Sequence, residues 1–150
     1  MTLFSALRYG LSGLMLAACL AVTYPALAEM ISFKAELKGG NEVPKNDSKG
    51  TGTLTATYDT ASKKLTWKGE YSGLSGPATM AHFHSVQLPD PFSQVGDVTV
   101  IITPITSPFE GSAILTDTQA AELIAGQWYV NIHTDTHPGG EIRGSVIKGM

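Results

Sequence analysis

Residues 50–71 read GTGTLTATYDTASKKLTWKGEY, and this stretch decides the fold class. The first half is a threonine-rich run that ends at Tyr58. The second half places Leu65, Trp67 and Tyr71 at even spacings, so they share one face of an extended strand. Residues 59–63 lie between the two runs and are typical of a turn. The stretch therefore predicts a β-hairpin with one buried face.

The chain beyond this hairpin repeats the pattern of short runs separated by Gly, Pro, Asn and Asp. One helix is predicted near 117–125, with Thr116 as its N-cap, Gln119 as the capping-box partner and Gly126 as the stop. Eight strands at intervals of about ten residues predict an all-β domain. We expect an antiparallel Greek-key β-sandwich, immunoglobulin-like or superoxide-dismutase-like, with this one short helix. Further strands are predicted at 31–37, 78–84, 97–102, 109–115, 127–133 and 141–147.

Residues 1–28 have the layout of a secretory signal peptide. Arg8 precedes the apolar run 11–22, and an A-x-A cleavage site ends at Ala28. The run is shorter than the roughly 20 residues that a membrane span needs. A lipid anchor at Cys19 is the alternative, but the apolar run continues beyond this cysteine. We therefore expect a periplasmic or extracellular protein after cleavage near Ala28.

The remaining chain, residues 29–150, has the size of one domain. Without Arg8 it has nine basic and thirteen acidic residues, a net charge of −4, which argues against nucleic-acid binding. The only cysteine is Cys19, so this domain contains no disulfide, no thiolate metal ligand and no cysteine nucleophile.

All four histidines fall in two short segments, and they are the strongest functional signal. His82 and His84 are two residues apart on a predicted strand, so both rings point to the same face. His133 ends another predicted strand, and His137 follows in a loop. Imidazole groups without thiolates suit copper or zinc, so we predict a metal site in which copper is favoured over zinc. His82, His84 and His133 are the predicted ligands, with His137 as a fourth ligand or a gate.

Three further polar residues lie near the second histidine segment. Asp135 and Glu141 are predicted to hold the outward N–H groups of the ligand rings. Arg143 shares a strand face with Glu141 and is predicted either to pair with it or to attract an anion. No catalytic residue is predicted. The alternative for the histidines is a scaffold role, in which they bond backbone carbonyls.

Six segments, taken in order, resemble the CHRD domain, which is named after chordin. The resemblance implies an extracellular β-domain. In animals such domains occur as repeats in antagonists of bone morphogenetic proteins, and in microbes as single secreted domains. The chain departs from the usual pattern at 85–96. The matching segments are Phe33-x-Ala35-x-Leu37-x-Gly39-x-Asn41-Glu42-Val43-Pro44, Gly50-x-Gly52 followed by Leu65-x-Trp67, Tyr71-Ser72-Gly73-Leu74-Ser75-Gly76, Ala81-His82-Phe83-His84, 128–134 and 138–144.

A weaker resemblance is to the copper/zinc superoxide dismutases, which also have an H-x-H pair, a distant histidine and an arginine on the last strand. It implies that His82, His84 and His133 hold copper and that Arg143 lies near an open position. Three hypotheses follow. The first is an exported metal-binding domain, the second a protein-binding or envelope-structural module, and the third a copper-only dismutase-like enzyme. We favour the first, and therefore a metal ion as partner.

Overall fold

The computed structural model describes residues 28–86 and 95–149. The predicted signal peptide, Cys19 and most of the 85–96 loop lie outside the described residues. No helix within the described ranges is long and apolar enough to cross a membrane. The strands are β1 Met30–Lys38, β2 Thr51–Asp59, β3 Lys64–Ser72, β4 Ala78–Ser85, β5 Asp97–Ile101, β6 Phe109–Ile114, β7 Trp128–Thr134, β8 Ile142–Ser145 and β9 Ile147–Lys148. The helices are a 3-10 turn at Gly39–Asn41 and α1 at Asp117–Ile124.

The described strands form one antiparallel sheet in the order β5-β4-β7-β8-β1-β2-β3-β6. The short strand β9 also pairs with β1, on the same side as β8 but nearer the start of β1. This arrangement confirms the all-β, antiparallel prediction with one short helix. The predicted Greek-key sandwich is not confirmed, because hydrogen bonds connect all described strands into a single barrel-like sheet. The sheet is nearly closed, and β5 and β6 are its edges in the described part of the chain.

The predicted hairpin is formed by β2 and β3. Their register runs without interruption from Thr51 opposite Ser72 to Asp59 opposite Lys64. The carboxylate of Asp59 accepts hydrogen bonds from the backbone of Ala61 at 2.9 Å and from the hydroxyl of Ser62 at 2.7 Å. Local hydrogen bonds of this kind are typical of turns that begin with aspartate.

The core lies on the inner face of the sheet and is centred on aromatic rings. Trp67, which lies on the predicted buried face of the hairpin, and Trp128 are both buried. The Phe83 ring packs between them, with centroid distances of 5.3 Å to Trp67 and 5.7 Å to Trp128. Side chains on a strand alternate between faces. The neighbours of Phe83 along β4, which are His82 and His84, therefore point to the outer face.

Helix α1 begins and ends where the sequence predicts. The Thr116 side chain accepts from the Gln119 backbone at 3.2 Å, while the Gln119 side chain accepts from the Thr116 backbone at 2.9 Å. Gly126 follows the helix with φ of 76°, a conformation that favours glycine. Leu123 is fully buried, so the helix is held by its apolar face.

Candidate metal centre

The pairing of β4 with β7 brings the two histidine segments together. His82 lies opposite Asn131, and His84 lies opposite Tyr129. His133 is two residues beyond Asn131 and shares its face. One ring nitrogen from each of His82, His84 and His133 lies within 4.8 Å of those of the other two. The predicted convergence of these three histidines is therefore present in the fold.

The backbone determines which ring nitrogen of His84 and of His133 carries the proton. Nδ1 of His84 lies 2.9 Å from the carbonyl oxygen of Gly96, and Nδ1 of His133 lies 2.9 Å from that of Pro138. A carbonyl oxygen only accepts, so each Nδ1 must donate. In the neutral rings Nε2 then carries a lone pair. A ring that donates from one nitrogen and presents the other is in the usual form of a metal ligand.

Burial favours the neutral forms of His82 and His84, and the neutral form is the one that binds metals. Burial lowers the pKa of His82 below the usual value of an imidazole, and the charges of His133 and His84 lower it further. Burial also lowers the pKa of His84, although its hydrogen bonds to Gly96 and Asn131 act in the opposite direction. Nδ1 of His82 is buried and has no hydrogen-bond partner among the described residues. These rings are therefore available as neutral donors near pH 7.

Asn131 lies at the centre of the cluster, and the sequence analysis did not single it out. Its Oδ1 is 3.0 Å from Nε2 of His84 and 3.0 Å from Nε2 of His133. The residue is only 3 % exposed. The alternation that paired His82 with His84 would also have placed Asn131 beside His133, so a signal for it existed.

An aromatic ring supports His84 from the side. The rings of Tyr129 and His84 are stacked, with centroids 4.6 Å apart and planes within 3° of parallel. The Arg143 guanidinium carbon lies 3.4 Å from the centroid of the Tyr129 ring. Because β7 lies between β4 and β8, Tyr129 separates Arg143 from His84. Arg143 also pairs with Asn131 across β7 and β8, so it lies beside the strand that carries the cluster, and its predicted role toward an anion stays a prediction.

Glu42 is a second buried group that the sequence analysis did not assign to the site. It is 6 % exposed, and burial raises its pKa to about 7. The charge of Arg143 and hydrogen bonds from the Val43 backbone and the Asn131 amide oppose this rise. Glu42 follows the 3-10 turn, far from both histidine segments in the chain. No local pattern could have revealed this placement.

The remaining predicted residues are not part of the three-histidine convergence. Asp135 is exposed, and His137 is not among the three histidines whose nitrogens converge. Glu141 is fully buried but accepts its hydrogen bonds from Ser48, Ser75 and Thr134. The groups that accept from the outward Nδ1 atoms of His84 and His133 are the backbone carbonyls of Gly96 and Pro138, not the carboxylates of Asp135 and Glu141. Both carbonyls lie in loops, where a backbone oxygen is free to accept.

The fold and the cluster define an all-β antiparallel domain that presents three histidines on the outer face of its sheet. The family model described as the CHRD domain matches residues 33–146. The chain therefore belongs to the CHRD domain family, as the motif resemblance predicts. No curated protein and no solved structure matches the chain.

Proposed function

We propose that this protein is an exported CHRD domain that binds one transition-metal ion through His82, His84 and His133. The observation that carries the proposal is the convergence of three ring nitrogens within 4.8 Å. Carbonyl partners on His84 and His133 support it, because they leave Nε2 of each ring with its lone pair. Nitrogens that share a tetrahedral ion at bonds of 2.0–2.1 Å lie roughly 3.3 Å apart. The partly exposed His82 is the ring with room to close the remaining gap.

The donor set favours copper. Imidazole nitrogens suit copper, zinc, iron and nickel, and the affinity of one site for divalent ions rises along the series to copper and falls again at zinc. Residues 29–150 contain no cysteine, so no thiolate competes for the ion within this domain. We therefore propose copper as the preferred metal and zinc as the weaker one. Export follows from the signal-like sequence at residues 1–28.

A protein-binding role is the second candidate, and exposed apolar side chains around the cluster favour it. Ile101 pairs with His82 and Val98 with His84 across β5, and their exposed fractions are 66 % and 52 %. Met80 is 46 % exposed and pairs with His133. Such a rim would suit a docking surface in which the histidines are only scaffold. The third hypothesis, a copper-only dismutase-like enzyme, stays a prediction of the weaker sequence resemblance.

Calorimetric titration with Cu(II) and Zn(II) tests the metal proposal. The protein, its His82→Ala/His84→Ala variant and a His137→Ala control are titrated under the same conditions. We expect one equivalent of metal, with Cu(II) bound more tightly than Zn(II). Removing only an outer partner of a metal ligand typically weakens binding about 10–100-fold, so loss of two ligands should exceed roughly 100-fold. His137→Ala should bind like the unchanged protein.

Thermal unfolding provides a second readout. Metal at 100 times its Kd should stabilise the fold by about 2.7 kcal/mol, and the rise in Tm should fade below about pH 6 as the imidazoles protonate. Equal affinity in the double variant, or a rise in Tm that does not depend on pH, would contradict histidine ligation and leave the protein-binding role.

A further inference from the structure

The side-chain oxygen of Asn131 faces two imidazole nitrogens, and all three atoms present lone pairs to one another. Nδ1 of His84 and of His133 each donates to a carbonyl, so the neutral rings have no proton on Nε2. Oδ1 of Asn131 is also an acceptor. It lies 3.0 Å from both Nε2 atoms, so two contacts at hydrogen-bond distance lack a hydrogen. A positive charge among these three atoms would turn both contacts into attractive ones.

The opposite end of the amide explains why its oxygen faces the rings. The NH₂ nitrogen of Asn131 and Oε1 of Glu42 both lie against Gly140, where each would contact a Cβ built on that glycine, and the Asn131 amide lowers the pKa of Glu42. Asn131 and Glu42 are both buried, at 3 % and 6 % exposed. A reversed amide would turn Oδ1, in place of the NH₂ group, toward the Glu42 oxygens, which are only acceptors in the charged carboxylate. Glu42 therefore orients the Asn131 oxygen toward the histidines.

The spacing of the three acceptor atoms matches that of ligands on one ion. With bonds of about 2.0 Å, neighbouring ligands lie roughly 3.3 Å apart in a tetrahedral site and roughly 2.8 Å apart in a square-planar one. The two distances of 3.0 Å from Oδ1 fall between these values. Oδ1 needs little movement to join a metal ion held by His84 and His133.

We propose that Oδ1 of Asn131 is the fourth ligand, so that the centre has three imidazole nitrogens and one amide oxygen. This inference rests on the proposed metal binding and adds the donor that completes the site. A neutral oxygen makes the set harder than imidazole alone, which favours a divalent ion such as Cu(II) or Zn(II) over Cu(I). Glu42 is then a positioning residue, which acts through the orientation of the amide.

Two substitutions of Asn131 test this role with Cu(II) as the probe. Asn131→Asp keeps an oxygen donor and makes it charged, whereas Asn131→Leu removes it at similar size. Thr136→Asp, in the exposed turn beyond His133, controls for an added negative charge. Affinity is measured by calorimetry, the donor set by electron paramagnetic resonance, and folding by circular dichroism.

We expect Asn131→Asp to bind Cu(II) at least about tenfold more tightly, with a lower g∥ and a larger copper hyperfine splitting. Asn131→Leu should bind at least about tenfold more weakly, with an altered spectrum, since loss of even an outer partner costs that much. Thr136→Asp should keep the original spectrum. If Asn131→Leu does not fold, the spectrum of Asn131→Asp alone decides whether Asn131 is a ligand.

The two proposals fail in different ways. If Cu(II) binding depends on His82 and His84 but every Asn131 variant keeps the original spectrum, Asn131 is not a ligand and the metal site stands without it. Weaker binding with an unchanged spectrum in both Asn131 variants would give the residue only a positioning role and overturn the inference. If the unchanged protein binds no Cu(II), both proposals are wrong.

Discussion

Replacing Glu141 with glutamine removes a charge that the fold holds in a fully buried position. Oε1 accepts from the Ser48 hydroxyl and the Ser75 backbone at 2.7 Å each. Oε2 accepts from the Ser75 hydroxyl at 2.7 Å and the Thr134 hydroxyl at 2.6 Å. The carboxylate thus connects the loop before β2, the loop between β3 and β4, and the end of β7. Glutamine has a similar shape but can accept through only one of its two terminal atoms.

The size of the effect follows from the pKa of Glu141. Burial raises this pKa, but the hydrogen bonds from Ser75, Thr134 and Ser48 outweigh burial and lower it from 4.5 to about 2. One pKa unit corresponds to about 1.4 kcal/mol, so the charged form contributes on the order of 3 kcal/mol. Because the folded-state pKa is the lower one, this stability is complete above pH 4.5 and is lost as the pH falls toward 2. Only about 40 % of it should remain at pH 3.

Urea unfolding at pH 7, 5, 4 and 3 measures the prediction. We expect Glu141→Gln to be destabilised at pH 7, and the difference from the unchanged protein to shrink by roughly 2 kcal/mol at pH 3. Taking this difference cancels the contribution of other titrating groups that do not interact with Glu141. Glu110→Gln is the control, because that side chain is 75 % exposed and should change stability by less than about 0.5 kcal/mol. A difference that stays constant from pH 7 to pH 3 would refute the assigned pKa.

Two further predictions concern packing and helix capping. Gly69→Ala places a methyl group against the ring of Phe109 and should cost about 1–3 kcal/mol in the free energy of unfolding, whereas Gly76→Ala meets no atom within 4 Å and should change little; equal stabilities of the two variants would contradict this contact. Thr116→Ala removes the cap of α1 and should cost about 1 kcal/mol, measured by urea unfolding against Thr118→Ala on the exposed side of the helix. An effect of Thr118→Ala as large as that of Thr116→Ala would mean that the cap is not the cause.

Most of the secondary structure could be predicted because it depends on neighbours within a few residues. The β2–β3 hairpin follows from even spacing of apolar residues on either side of the turn at 59–63. Helix α1 follows from its capping box and from Gly126. Whether the strands form one sheet or two depends instead on which remote strands share hydrogen bonds. The prediction of a sandwich was therefore not confirmed, although the class and strand direction were.

The candidate site could be predicted only in part. The spacing of His82 and His84 indicates a shared face, and His133 was the natural third member. The same alternation of side chains along a strand could also have identified Asn131. It could not have identified Glu42, because the burial of Glu42 near Asn131 depends on how a distant loop folds over the sheet. The backbone partners of the histidine rings could not be predicted either, since carbonyl groups occur at every residue and carry no sequence signal.

The sequence by itself determined that this chain is a β-rich CHRD domain and that its histidines point away from the core, since both properties follow from local periodicity and motif order. Only the tertiary structure decided which residues meet on the outer face. His84 and Asn131 are 47 residues apart, and only the register of β4 on β7 brings them together. A shift of one residue would reverse the faces of β7 and send Asn131 and His133 into the core. Burial of the inner aromatic residues excludes that register, and so the packing of the core determines the geometry of the histidine cluster.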